Sequence, residues 1–182
     1  MNKNLIILFI VTLVASAGLP CCKESPEVLI ADSIFEAYCL THFDKNGNGI
    51  IQRKEVDSIK SLDISGRGIQ SLKGLEDFTS LEHLNCSNNQ LFRLYLSKNK
   101  ELTTVYCAEN DLSSLDVSDN VNLHTLDCSN NHITVLNLSG NAALKHLNCA
   151  NNPLIIINVW SDFNVAEYRH WNTPESVSYI SL

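Results

Sequence analysis

Four sets of residues recur through the middle of this chain at a common interval of 21 residues: Leu81, Leu102, Leu123 and Leu144; Leu84, Val105, Leu126 and Leu147; Cys86, Cys107, Cys128 and Cys149; and Asn89, Asn110, Asn131 and Asn152. One period shared by apolar, thiol and amide positions marks stacked units, each too small to bury its own hydrophobic residues. The unit reads LxxLxCxxNxLxxLxLSxNxx, clearest in LEHLNCSNNQLFRLYLSKN and LHTLDCSNNHITVLNLSGN. Alternate residues of LxxLxC face opposite sides of a short strand. Leu84 and Cys86 therefore point inward, and His83, Asn85 and Ser87 point outward. Stacking the units lines these strands up as a parallel sheet. The inward Asn must then bond the backbone of neighbouring turns, because a buried amide without partners is costly.

This unit resembles the leucine-rich repeat, with a length similar to internalin-type repeats, and the resemblance covers about Ile59 to Asn164. It implies a leucine-rich-repeat solenoid: a parallel β-sheet on one side, extended or turn-like backbone with little helix on the convex side, and ligands bound on the concave side. A divergent first unit runs through Ile59, Leu62, Ile64, Ile69, Leu72, Leu75 and Phe78 and lacks the Cys and Asn, as terminal repeats often do. Four and a half turns give a sheet about 20 Å long. Beyond Asn164 the pattern stops, and residues 165–182, with Tyr168, Trp171 and Tyr179, are expected to cap the open end.

The sharpest chemical motif precedes the repeats. Asp44-Lys45-Asn46-Gly47-Asn48-Gly49-Ile50-Ile51-Gln52-Arg53-Lys54-Glu55 fits the EF-hand calcium loop at each key position. Asp44, Asn46 and Asn48 supply side-chain oxygens, Gly49 the sharp turn, and Ile50 a backbone carbonyl. Gln52 acts directly or through water, and Glu55 is the bidentate ligand. The flanks agree: Asp32 or Ser33 can cap a helix running to about Phe43, Ser33 with Glu36 can form a capping box, and a shorter helix leaves near Arg53. Residues 23–58 thus read as a helix–loop–helix cap. With two carboxylates among its ligands and no second copy, the loop is expected to bind calcium weakly, at about 10⁻⁴ to 10⁻³ M, and to serve structure rather than signalling. A solvated Asn/Gly turn that holds no metal is the alternative.

Residues 1–22 read as an export signal: Lys3, an apolar run from Leu5 to Val14, and Ala15-Ser16-Ala17. Cys21 or Cys22 then resembles the lipidated cysteine of a bacterial lipoprotein, although the residues before each depart from that pattern, and cleavage after Ala17 competes. The expectation is an exported cell-envelope protein, an outer-membrane or surface lipoprotein, tethered by its N-terminal lipid.

A net charge of −7 argues against nucleic acid as partner. The chain has no P-loop, GxSxG, HExxH or dinucleotide-binding glycine turn, and its Asp, Glu and His residues lie singly on repeat faces, so no enzyme is expected. Cys39, in the entering helix, reads as core. The cysteine ladder reads as packing, because in-register strands hold Cβ vectors parallel, which suits disulfides poorly; disulfides and metal binding stay open. The remaining candidate is the outward strand face: His83, Asn85, Thr104, Tyr106, Thr125, Asp127, His146 and Asn148. It is expected to bind a protein or a glycan. The competing reading is an accessory subunit of an envelope assembly without a ligand of its own.

Overall fold

The computed structural model describes residues 26–182; the export signal and Cys21 and Cys22 lie outside them. Within this span the 21-residue period becomes a solenoid. Strands β1 (Ser61–Asp63), β2 (His83–Asn85), β3 (Thr104–Tyr106), β4 (Thr125–Asp127) and β6 (His146–Asn148) form one parallel sheet. The register follows the period: Leu84 pairs with Val105, Val105 with Leu126, and Leu126 with Leu147. On the opposite side β5 (Val135–Asn137), β7 (Ile156–Val159) and β8 (Ser178–Ser181) form a second parallel sheet. Isolated bridges Tyr95–Asp116 and Asp116–Asn137 extend it toward the N-terminus. The convex side is extended, as its sequence predicts, and in the first unit it carries a single 3₁₀ turn, Leu75–Asp77.

Between the sheets lies one continuous core. Leu81, Leu84, Leu91, Leu96, Leu102 and Leu112 are among its fully buried side chains. Cys86, Cys107, Cys128 and Cys149 sit in it as free, buried thiols. Burial pushes the Cys86 and Cys149 thiols up to about 12, which leaves little thiolate at neutral pH.

Two asparagine ladders satisfy the backbone where the chain turns. In the first, Asn131 Oδ1 accepts the Leu112 N–H at 2.9 Å, while its Nδ2 donates to the carbonyls of Cys107 and Cys128 at 3.0 and 3.1 Å. Asn89, Asn110 and Asn152 repeat the arrangement. In the second, Asn99, Asn120 and Asn141 are fully buried, and each donates to two carbonyls of the preceding turn, as Asn120 does to Leu96 and Asn99.

The ends differ from the expectation in detail. Helix α1 spans Ser33–Phe43, and Asp32 alone caps it, accepting from the Ile34 and Phe35 N–H groups. The Ser33–Glu36 box does not form; a capping box forms instead between Gln52 and Glu55 at the short helix α2, Arg53–Val56. Asp32 also accepts the N–H groups of Gln70 and Ser71 in the first repeat. Burial would raise the Asp32 carboxyl, but these hydrogen bonds hold it below the usual carboxylate range. One side chain therefore caps the helix and fastens it to the solenoid.

At the other end residues 165–182 do more than cover the last turn. Asn172 bridges Asn148 at the edge of the first sheet, and β8 adds to the second. The segment is a degenerate further turn. Trp160, Phe163, Tyr168, Trp171 and Tyr179 pack over the core there, ring against ring.

Candidate functional site

The structure holds two groups of residues singled out from the sequence, and they lie in different parts of the molecule.

The first is the loop between α1 and α2. Gly47 and Gly49 take left-handed φ values of 69° and 76°, open to glycine at little cost. This folds residues 44–50 back on Asp44. The Asp44 carboxylate accepts the N–H groups of Gly47, Asn48 and Gly49, and Asn48 Oδ1 accepts the Ile50 N–H. From the far side of the loop Glu55, only 2% exposed, brings its carboxylate inward. Its Oε1 accepts from the Lys45 N–H and Asn46 Nδ2, and its Oε2 from the Gln52 N–H. Gln52 Oε1 also meets Asn46 Nδ2, at 3.2 Å. Asn46, Gln52 and Glu55 thus converge on one point, while Asp44 and Asn48 organise the turn beside it.

None of the ion pairs between described residues involves Asp44 or Glu55. A buried carboxylate satisfied only by N–H dipoles is the electrostatic environment that a hard cation relieves. The donor set of two carboxylates, three side-chain amides and a backbone carbonyl is all oxygen, which fits calcium. It is amide-rich: among the described residues no group of three or more His, Cys, Asp and Glu gathers as a metal cluster.

One feature of this loop had no signal in the sequence. Residues 26–28 run antiparallel to it: Val28 N–H donates to the Ile51 carbonyl at 2.8 Å, and Arg53 N–H to the Pro26 carbonyl at 2.9 Å, with a bridge between Glu27 and Gln52. Among the described residues the loop has no second copy, and this extended segment braces it instead.

The second group is the outward face of β2, β3, β4 and β6. His83, Tyr106 and His146 are exposed, and Asn85, Thr104, Thr125, Asp127 and Asn148 are half-buried between their neighbours. Tyr106, 42% exposed, stands in the middle, with a shallow hollow on each side. One, of about 210 Å³, reaches Asp63, His83, Asn85 and Thr104. The other, of about 270 Å³, reaches Asp127, His146, Asn148 and His170. Asp127 is held in place: it accepts from the Ser129 hydroxyl at 2.6 Å and from Asn148 Nδ2 at 3.0 Å. His170, which the repeat pattern does not include, packs edge-on against His146 with ring centroids 5.7 Å apart. Each hollow is smaller than the roughly 300–1,000 Å³ of small-molecule pockets. Together they suit the side chains of a macromolecular partner.

No family model matches the chain, and no curated protein matches it in sequence. Solved structures do. The functional domain of InlJ from Listeria monocytogenes, itself described as including a cysteine ladder, is similar over 77% of this chain at 31% identity, with a TM-score of 0.66. The internalin InlF from the same organism is similar over 82% at 19% identity, with a TM-score of 0.55. A chain of the LRIM1/APL1C complex is similar over 58% at 23% identity, with a TM-score of 0.54. This chain spans 30% of the InlJ domain and 55% of InlF. The protein is therefore a leucine-rich-repeat solenoid whose structural neighbours include bacterial internalins.

Proposed function

We propose that this protein is an exported, non-enzymatic binding module that recognises a protein partner through the face of its five-stranded sheet, with a structural calcium loop bracing its N-terminal cap. The observation that carries the binding role is the pair of hollows flanking Tyr106. A regular ladder would present a uniform polar surface; here an exposed aromatic stands between two concavities lined by histidine, amide and carboxylate groups. Tyrosine placed centrally in an interface is a frequent source of binding energy. The sheet of five strands is about 19 Å across, which fits a small footprint and modest affinity.

The calcium role rests on the convergence of Asn46, Gln52 and Glu55 and on the buried Glu55 carboxylate, which accepts three N–H groups and enters no ion pair between described residues. Asp44, Asn46, Asn48, Gln52, Glu55 and the Ile50 carbonyl would hold the ion, whose role is to tie the two helices together. The tether rests on Cys21 or Cys22. At most four residues separate the lipidated cysteine from Pro26, so the tether would hold the cap within about 18 Å of the membrane surface. No helix among the described residues is long and apolar enough to cross a membrane.

The binding role is tested by placing a photo-crosslinking amino acid at position 106 and, separately, at the exposed position 137 of the second sheet, in cells that make the protein. Adducts formed at 106, absent at 137 and lost when Asp127→Lys is added support the sheet face. Adducts at 137 alone favour an accessory subunit held by its convex side.

A further inference from the structure

The second sheet does not reach the first turn. Its bridges run from Asn137 through Asp116 to Tyr95 and stop there. In the first turn the chain instead enters the 3₁₀ turn Leu75–Asp77 through Gly74, whose φ of 106° breaks an extended path. The convex segments of the first and second turns therefore part, leaving a cleft of about 500 Å³ lined by Leu72, Lys73, Phe92, Arg93, Tyr95 and Lys98 among others. A second hollow, of about 360 Å³, flanks Tyr95 and Arg93 on the side of Ser113 and Asp116.

The fold does not require these side chains. One repeat later, the positions of Phe92, Arg93, Tyr95 and Lys98 hold Ser113, Ser114, Asp116 and Asp119, in a turn of the same geometry. Phe92 and Tyr95 are 62% and 71% exposed, so they contribute little to the core. Lys73, Arg93 and Lys98 take part in none of the ion pairs between described residues. Arg93 instead donates to Tyr95 Oη at 3.3 Å. The one acidic side chain lining the cleft, Glu76, is turned to the Gly74 N–H at 2.8 Å. In a chain of net charge −7, this is a local cationic and aromatic surface.

We infer that this cleft is a second binding site, for an extended acidic peptide segment carrying an apolar side chain, on a partner protein. Charge complementarity selects the acidic residues, through Lys73, Arg93 and Lys98. Phe92 and Tyr95 offer rigid apolar surface at low entropic cost, and Tyr and Arg dominate interface hot spots. An extended backbone lying beside Tyr95 would continue a ladder that the chain itself ends there, which is the geometry of strand addition. The site is independent of the Tyr106 face.

The test is selection from a phage-displayed library of random octapeptides on the full chain, followed by fluorescence anisotropy with the enriched peptides. Phe92→Ser with Tyr95→Asp installs the residues of the next repeat and so preserves the fold, which circular dichroism verifies; Arg93→Glu reverses one charge. The expected result is enrichment of acidic peptides with an aromatic or aliphatic residue. Their binding weakens about tenfold or more in each variant, weakens with salt, and is unchanged in Tyr106→Ala. Enrichment of neutral or basic peptides, no enrichment, or binding indifferent to the variants overturns the proposal. Oligogalacturonate bound at Arg93 and Tyr95 in place of any peptide also overturns it, and assigns the cleft to an acidic glycan.

Discussion

Substituting Asn131 by alanine should show how much of this solenoid's stability rests on a single amide per turn. The side chain is 4% exposed and spans two turns. Its Oδ1 accepts the Leu112 N–H, and its Nδ2 is shared among the carbonyls of Cys107, Cys128 and Ser129. Leu112 is fully buried, so water cannot take the place of the lost acceptor. An orphaned buried donor costs about 1–3 kcal/mol, and each lost bond to a carbonyl about 0.5–1.5 kcal/mol. Counting the Leu112 N–H and two carbonyls gives a loss of about 2–6 kcal/mol. A domain's whole stability is about 5–15 kcal/mol, so this one amide accounts for a large share. Urea unfolding followed by far-ultraviolet circular dichroism measures the loss, with Asn122→Ala, at an exposed position off the ladder, expected within about 0.5 kcal/mol of the parent. Asn131→Asp keeps the acceptor for Leu112 but points oxygen at two carbonyls. It should therefore be at least as damaging as alanine at neutral pH, and part of the loss should return on acidification, when a protonated carboxyl can donate again. A loss below about 1 kcal/mol for Asn131→Ala would refute the claim that the ladder satisfies backbone that nothing else can reach.

Three further outcomes test other parts of the structure. In about 10 mM calcium a loop of the expected weak affinity stabilises the fold by about 1.4–2.7 kcal/mol; a thermal melt should show the rise, and both Asp44→Ala and Glu55→Ala should abolish it. Gly74→Ala places a methyl group 2.9 Å from Ile30 Cγ1 and 3.3 Å from the Leu29 carbonyl, at a φ of 106°. It should cost about 1–3 kcal/mol and speed amide exchange at Val28 as residues 26–30 lift away. Burial raises the Cys39, Cys86 and Cys149 thiols from about 9 to about 12. The folded chain thus keeps these protons where the unfolded chain releases them, so the stability present below pH 9 should be lost as pH rises from there toward 12. Iodoacetamide at pH 8.5 should leave all five described cysteines unmodified in the native protein and modify them in urea.

The parts of this fold legible in the sequence are those that repeat in step. Leu84, Val105, Leu126 and Leu147 differ in identity but share one period, and that was enough to place four strands and their register, while β1 joins at a 22-residue step, Leu62 pairing with Leu84. The degenerate last turn escaped because its period is broken. Asn148 bridges Asn172, 24 residues on, and Ile156 pairs with Ser178, 22 residues on, since the 3₁₀ turn Val165–Tyr168 lengthens the connection. The second ladder, Asn99, Asn120 and Asn141, stood in the repeat formula without a role, because nothing in the pattern says which carbonyls a buried amide will find. His170 joined the Tyr106 face for the same reason as Asn172: it belongs to the turn that the period does not reach.

The N-terminal cap shows a different limit. The loop's tight turn was readable because Asp44, Gly47 and Gly49 are residue types that such a turn demands, whereas residues 26–28 contribute only backbone to their pairing with the loop, and backbone has no spelling. Yet that pairing links three parts of the molecule. Val28 is bound to the loop through Ile51 and packs beside Gly74, and Gly74 opens the turn that ends the second sheet at Tyr95. Disturbing the loop should therefore loosen residues 26–30 first and the Phe92–Tyr95 cleft next, while the Tyr106 face, held by strands on both sides, should not respond. Calcium would then act on one binding surface and not on the other. Hydrogen exchange with and without the ion should read that as protection gained around residues 70–76 and unchanged along β3 and β4; equal protection throughout would mean that the cap stabilises the solenoid as one unit.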